Sequence, residues 1–388
     1  MYLTTTQKYL SQYAEKVSIE ASSKFIVNKN YAHTLVIPMC DELSNYQRLI
    51  NNIQTLYFNA PLLVIFVINH HENTPNEVVR NNKALKEFLI SGYENTQLLE
   101  NCFLLNVTKD IDIIIFYMCE KNALPVKQGV GLARKIGCDF VLDVITNHHL
   151  SNIKWIHSTD ADVILPENYF TQLEYICPTK YSACVYNFIH YVSDDTNSEI
   201  KNAICIYERS LHQYVNGLRY ANSPYAYHTI GSLIAISSHY YSIVRGFPKI
   251  SGAEDFYMLN KLAKTAPVTT INNAPIKVQA RLSDRVPFGT GPALKKIIDK
   301  DNNYIKQLTY PQVYFDQLKI VIQHINQGKY HELSNHKKIY NILETLGFFN
   351  AIQKIEKNNA NPTKRVQHIH HWFDAFKTLK FIRLISKI

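Results

Sequence analysis

The chain has 388 residues, 46% of them apolar and 19% charged, which excludes a disordered protein and leaves room for one large domain or two ordinary ones. The net charge of +9 is unevenly spread: residues 277–388 hold 19 Lys/Arg against 8 Asp/Glu, and residues 1–276 hold 22 against 24. The basic excess in the last third points to a solvated basic face or an anionic partner there. Seven cysteines occur without a C-x-x-C pair, which argues against a disulfide scaffold or a zinc site and fits a reducing compartment.

Residues 1–30 are polar and read as a leading helix. HTLVIPMC (33–40) is a β-branched run that reads as a buried strand. Leu43, Leu49, Ile50, Ile53 and Leu56 follow at helical spacing. APLLVIFVINHH (60–71) reads as a second buried strand, and a helix is expected near 76–91. IDIIIFYMC (111–119) gives a third strand, VGLARKIGCDFVLDVI (130–145) a helix, and KWIHSTDADVILP (154–166) a strand, a turn and a strand exit. From 180 to 276 the pattern is mixed, with a strand in SLIAIS (232–237) and a helix starting in AEDFYMLNKLAK (253–264). The remainder, from about 311, reads as several helices. Strands alternating with helices imply βαβ units and a mostly parallel sheet, with ligands beyond the carboxyl ends of the strands.

Three segments could carry chemistry. In W-I-H-S-T-D-A-D-V-I-L-P an apolar strand delivers Asp160 and Asp162, flanking Ala161. Hard divalent cations share such carboxylates with substrate phosphates. In G-F-P-K-I-S-G-A-E-D-F-Y, Glu254 and Asp255 open a helix, where acids favour the macrodipole whether or not they do chemistry. Beside a cation and a diphosphate, such a carboxylate is a candidate general base. In R-L-S-D-R-V-P-F-G-T-G-P-A-L-K-K, Arg281, Arg285 and Lys295 surround Gly289-Thr290-Gly291, which is either a phosphate-binding turn or a basic surface loop. His148, His149, His228, His368, His370 and His371 read as loop or surface histidines, with His228 the one that could supply a third metal ligand.

The ordered set resembles family 2 glycosyltransferases. VIPMCDELSNYQRLINNI (36–53) is similar to their opening strand and helix, and GVGLARKIGCDFV (129–141) to their A-R-N-x-G helix. HSTDADVILPENYF (157–170) is similar to their D-x-D strand, and residues 228–262 to their acceptor strand, G-G-F turn and E-D helix. The resemblance spans residues 31–265. It implies an α/β protein of the GT-A type, Rossmann-like, with a mostly parallel sheet flanked by helices and a helical C-terminal extension. The implied segments are a helical lead (1–30), a catalytic domain (31–300) and a basic helical region (301–388).

The implied activity is metal-dependent, inverting transfer of a sugar from a nucleotide-sugar donor to a glycan, lipid-linked or other hydroxyl acceptor, in bacterial surface polysaccharide or glycoconjugate synthesis. The alternatives are a retaining GT-A transferase that modifies a protein, and a non-enzymatic nucleic-acid-binding protein, although no nucleic-acid motif is present. Carried over by position, Pro38, Cys40, Glu42, Asn69, Arg134, Asp160, Ala161, Gly231 and Ser232 hold the nucleotide-sugar, and Arg281 and Arg285 of the basic loop, beyond the resemblance, are expected to close over its diphosphate. Asp160 and Asp162 hold Mn2+ or Mg2+, and Asp255 is the base with Glu254 beside it. Lys135 stands where the family commonly has Asn, and Arg245-Gly246-Phe247 replaces Gly-Gly-Phe. The N-terminus lacks an apolar signal region and no stretch is long enough to span a bilayer, so a cytoplasmic location is expected, with peripheral contact at the inner face of the membrane.

Overall fold

The computed structural model describes residues 2–148, 150–192, 196–282 and 289–387. The chain divides into two compact units, one of residues 1–194 and 229–292, the other of 195–228 and 293–388.

The first unit opens with helices α1 (Tyr2–Gln12) and α2 (Lys16–Lys24). Strand β1 (His33–Met39), helix α3 (Tyr46–Gln54) and strand β2 (Leu62–Asn69) follow, with Leu49, Ile50 and Ile53 on the buried side of α3. Helix α4 (Asn76–Gly92) leads to strands β3 (Glu94–Leu99), β4 (Cys102–Thr108) and β5 (Ile111–Met118). Then come helix α5 (Gly129–Asn147) and strands β6 (Trp155–Ser158), β7 (Val163–Ile164) and β8 (Ala183–Tyr191). Helix α6 (Ser198–Tyr220) belongs to the other unit. The chain returns with strand β9 (Ile234–Ser237), helices α7 (Ser238–Tyr241) and α8 (Glu254–Leu262), and strand β10 (Val268–Gln279).

The ten strands form one sheet in the order β3-β4-β5-β2-β1-β6-β9-β8-β10-β7. Its centre, β5-β2-β1-β6, is parallel, while β4, β7 and β9 run against the other seven. Every residue of β2 is buried, which is why that strand reads as an unbroken Leu/Val/Ile/Phe run and not as an alternation. The β3–β4 hairpin is absent from the sequence expectation because β3 is an edge strand, four of whose six residues are exposed and polar.

Helix α5 lies on β1, β2 and β6 and is buried along most of its length. Gly137 makes the approach possible, because a Cβ there would stand 2.4 Å from Val36 Cγ1. The buried face of α5 also carries charge. Lys135 Nζ donates to Asp139 Oδ2 at 2.8 Å and to the Tyr9 hydroxyl at 2.5 Å. Tyr9 and Tyr241 both donate to Asp139 Oδ1, and the Glu15 amide donates to Oδ2. The lead is therefore two helices within residues 2–24, and Tyr9 and the adjoining Phe25 are buried in the core of this unit.

The second unit is helical: α6, α9 (Thr290–Ile298), which starts in the first unit, α10 (Asn302–Gln307), α11 (Gln312–Asn326), α12 (Lys337–Thr345), α13 (Phe348–Asn358), α14 (Pro362–Trp372) and α15 (Ala375–Ile385). Its core gathers Leu218, Phe315, Leu318, Ile322, Leu343 and Phe381 among others. Helices α6 and α11 meet at Gly217, where a Cβ would lie 2.2 Å from the Phe315 ring. The terminal helix buries Ala375, Thr378, Phe381 and Ile382 and is capped by the Asp374 side chain. Among the described residues no helix is long and apolar enough to cross a membrane.

The Tyr9–Lys135–Asp139–Tyr241 network yields a stability prediction. Asp139→Ala leaves the Lys135 ammonium buried and unpaired, so it should cost about 3–5 kcal/mol. Tyr9→Phe, which removes one hydroxyl, should cost about 1–3 kcal/mol. Urea unfolding midpoints check both values and their order.

Candidate active site

Strands β1, β2, β6, β8 and β10 end at one edge of the sheet, and the reversed strands β7 and β9 begin there. That is where ligands bind in open α/β sheets. It gathers Met39–Glu42, Asn69–His71, Ser158–Asp162, Gly231–Ser232 and Gln279–Arg281. After β1 the chain turns sharply at Asp41, in the left-handed region at φ 59°. Asn82 accepts the Asp41 amide at 3.0 Å and Asn81 donates to its carboxylate at 2.8 Å, which fixes the turn.

The centre of the edge is Arg134, on α5. Its guanidinium is 2% exposed and every arm of it is used. Nε donates to Glu254 Oε1 at 3.0 Å, Nη1 to Ser158 Oγ at 2.8 Å and to the Thr159 carbonyl at 3.2 Å, and Nη2 to Asp160 Oδ1 at 2.5 Å. Burial alone lowers its pKa, but the charges of Asp160 and Glu254 outweigh that and hold it protonated. Gly231 lies against this group: a Cβ there would stand 2.4 Å from Nη2, so only glycine fits without displacing the fork. Thr159 Oγ1 donates to the Ser232 carbonyl at 2.8 Å, tying the end of β6 to the entry of β9.

Beside it stands a second cluster. Arg281 Nη2 pairs with Glu42 Oε1 at 2.6 Å and with Asp162 Oδ2 at 2.9 Å. Glu42 Oε2 accepts from Asn45 at 2.7 Å. Arg48 Nη2 donates to Asn45 Oδ1 at 3.2 Å and to Gln279 Oε1 at 3.1 Å, and its guanidinium faces the Tyr191 ring. Three polar atoms here are buried without a hydrogen-bond partner among the described residues: Arg48 Nε, Arg281 Nε and the Tyr191 hydroxyl. Buried polar groups are almost always satisfied, so this grouping marks a place built for a polar ligand.

Glu254 and Asp255 open α8 directly after Ala253, a non-glycine residue in the left-handed region at φ 60°. Such backbone costs about 1–3 kcal/mol and concentrates at functional sites. The two acids are not equivalent. Glu254 is buried and bound to Arg134. Asp255 accepts the Phe256 amide at 2.7 Å and forms no ion pair among the described residues. Its pKa is pushed up to about 8, first by burial and then by the charge of Glu254, with Asp160 adding a smaller push.

The residues expected from sequence are placed as follows. Cys40 and Glu42 follow β1, and Pro38 lies within it, paired with Val67 of β2. Asn69 is spent on the backbone, donating to the Met39 and Val67 carbonyls. Ala161 is buried between the two aspartates. Arg285 lies outside the described residues. Gly289-Thr290-Gly291 is not a free turn, because Thr290 and Gly291 already belong to α9; Lys295 falls in the second unit. His228 packs edge-on against His212 in the second unit with its pKa lowered to about 3 by burial, and His370 Nε2 donates to Asn326 Oδ1 at 2.7 Å. Arg48, Tyr191 and Gln279 were not legible in the sequence. Arg48 sits one turn beyond Asn45 on an ordinary amphipathic helix, and no motif singles it out.

A divalent cation fits the donor set in one way. Among the described residues no three His, Cys, Asp or Glu side chains could enclose a metal. Asp160 and Asp162 are hard oxygen donors, and Mg2+ or Mn2+ is commonly held by one or two carboxylates with the rest of its shell from substrate phosphates and water. Without Asp255, whose raised pKa favours its neutral form, the four described carboxylates Glu42, Asp160, Asp162 and Glu254 still outnumber the three guanidinium groups of Arg48, Arg134 and Arg281.

No protein-family model matches the chain, and no curated protein matches it. Among solved structures the chain is similar to residues 1–349 of TarS from S. aureus in complex with UDP-GlcNAc, at 8% identity and a TM-score of 0.38, over 88% of this chain and 90% of that one. A UDP complex of the same protein matches at 8% identity and a TM-score of 0.36, over 76% and 72%. The mannosyltransferase PcManGT from Pyrobaculum calidifontis, in complex with GDP-Man and Mn2+, matches at 12% identity and a TM-score of 0.35, over 100% and 95%.

The raised pKa of Asp255 has a measurable sign. An acid whose pKa is higher folded than unfolded favours the folded state while it keeps its proton, and that contribution is lost as pH rises towards 8. Asp255→Asn cannot ionise, so its unfolding midpoint should gain on the wild type between pH 6 and pH 9. A constant difference across that range would mean that Asp255 titrates like an ordinary surface carboxylate.

Proposed function

We propose that this chain is a metal-dependent, inverting glycosyltransferase that moves a sugar from a nucleoside-diphosphate donor to a hydroxyl acceptor. The observation that carries the reading is the Arg134 fork. It joins Asp160, at the end of β6, to Glu254, at the start of α8, so the D-x-D and E-D segments form one site. The family 2 resemblance of the ordered motifs supports the same assignment, as do the orphaned polar atoms and the negative excess at the sheet edge.

The chemistry follows from the residues. Sugar transfer places negative charge on the leaving diphosphate, and a cation held by Asp160 and Asp162 would supply the electrostatic stabilisation for it. Arg48 and Arg281 offer further charge-assisted donors on the same side. Arg134 fixes Glu254 in place, which makes it a positioning group for the donor sugar or the acceptor. Asp255, free of any ion pair among the described residues, is the acid that can take a proton from the acceptor hydroxyl. A base works best with a pKa near the working pH, and a value of about 8 lies in that range. Attack from the face opposite the leaving group gives inversion.

Donor identity is tested by binding UDP-, GDP-, CMP- and dTDP-sugars with Mn2+. With the donor in hand, Asp255→Asn should cut turnover by about 10²–10⁴-fold with little change in donor affinity. Its pH profile should also lack the ascending limb that the wild type shows as Asp255 ionises. Normal turnover in this variant, or a product that keeps the donor's anomeric configuration, would falsify the inverting mechanism.

Metal dependence is a separate prediction. Chelation should abolish donor turnover, Mn2+ or Mg2+ should restore it, and Asp162→Asn should lose most of it. Undiminished turnover in excess EDTA removes the cation from the reading.

A further inference from the structure

Arg281 pairs with one of the two aspartates that the proposed function assigns to the donor's cation. Its Nη2 lies 2.6 Å from Glu42 Oε1 and 2.9 Å from Asp162 Oδ2, so one nitrogen bridges two carboxylates from different strand ends. Its side chain is 26% exposed, against 5% for Glu42, so the guanidinium covers the cluster from the solvent side. Arginine stays protonated at every accessible pH and cannot yield the place by losing its charge. A divalent cation sits about 2.0–2.2 Å from a carboxylate oxygen. At Asp162 Oδ2 it would stand against a guanidinium nitrogen already 2.9 Å from that oxygen, and two positive charges that close repel strongly away from bulk water.

We propose that Arg281 is the internal counter-cation of the unliganded cleft. It and the divalent cation exclude one another at Asp162, and Arg281 passes to the diphosphate when donor and cation enter together. This rests on the glycosyltransferase reading and deepens it by naming how the donor is admitted. A metal ion alone must displace Arg281 and leave it without a partner. A cation arriving with a diphosphate brings the oxygens that a guanidinium fork fits, so Arg281 exchanges carboxylates for phosphate oxygens. Arg281 Nε, buried without a partner among the described residues, is a donor still to be used in that exchange. Metal and nucleotide therefore bind cooperatively, and by linkage each strengthens the other by the same factor.

The test measures Mn2+ affinity of the full chain by electron paramagnetic resonance, without and with UDP or GDP. Wild type should bind Mn2+ weakly alone and more tightly with the nucleotide that the protein accepts. Arg281→Ala should bind Mn2+ alone about tenfold more tightly and lose most of the coupling, while its nucleotide affinity in saturating Mn2+ falls about tenfold. Arg281→Gln, which keeps bulk and loses charge, should behave the same way. Lys277→Ala removes one positive charge from an exposed site on β10 and should leave nucleotide-free Mn2+ binding unchanged; an equal gain there would assign the effect to bulk charge and overturn the proposal. If Asp162→Asn abolishes Mn2+ binding while Arg281→Ala leaves it unchanged or weaker, the counter-cation role is wrong and the metal site stands. If Asp162→Asn has no effect either, the metal-dependent reading falls and takes this inference with it.

Discussion

A guanidinium at 2% exposure dictates the layout of the cleft. An arginine cannot shed its proton, so each of its donors must meet an acceptor or the fold loses several kcal/mol. Arg134 meets that demand with groups from separate parts of the chain: Asp160 and Thr159 after β6, Ser158 within it, and Glu254 at the head of α8. Those acceptors are therefore fixed relative to one another to within hydrogen-bond tolerance. The same contact explains Gly231, where any side chain would collide with the fork. One buried charge thus determines the spacing of two acids that sequence reading treats as independent motifs.

Helix α5 can carry Arg134 because its neighbouring charge is settled as well. Lys135 points into the Tyr9–Asp139–Tyr241 network, closed by the Glu15 amide and packed against Gly246, where a Cβ would lie 2.3 Å from the Tyr9 hydroxyl. Lys135 is a cation whose partners are Tyr9 of α1 and Asp139 of α5, and Tyr241 of α7 joins them through Asp139. The network draws α1 into the core of the first unit. Replacing Lys135 with Asn alone would leave Asp139 buried without its counter-ion.

What the sequence made legible follows from physics of two kinds. Strands β1, β2 and β5 and helix α5 stand out because full burial forces long apolar runs, and the acid pairs stand out because each adjoins such a run. The β3–β4 hairpin was hidden by its exposed polar edge. Helix α6 was hidden because the chain leaves one unit for the other and returns within a stretch whose pattern is mixed. The cluster of Arg48, Tyr191 and Gln279 was hidden because it is assembled from residues far apart in the chain, and no local spacing announces it. Adjacency does not distinguish Glu254 from Asp255; that Arg134 binds Glu254 and not Asp255 supports the proposal of Asp255 as the base.

That pairing also explains the direction in which the Asp255 pKa moves. Arg134 can face two carboxylates, and it faces Asp160 and Glu254. Asp255 is the third acid within reach of the same positive charge, and it pays the desolvation of burial with only the Phe256 amide in return. Among the described residues Arg281 is committed to Glu42 and Asp162, and Arg48 to Asn45 and Gln279. A carboxyl left over from such an arrangement has its pKa raised, and positive charge added nearby lowers it again. The described edge of the sheet carries fewer guanidinium groups than carboxylates, and Asp255 is the carboxyl whose pKa rises in response.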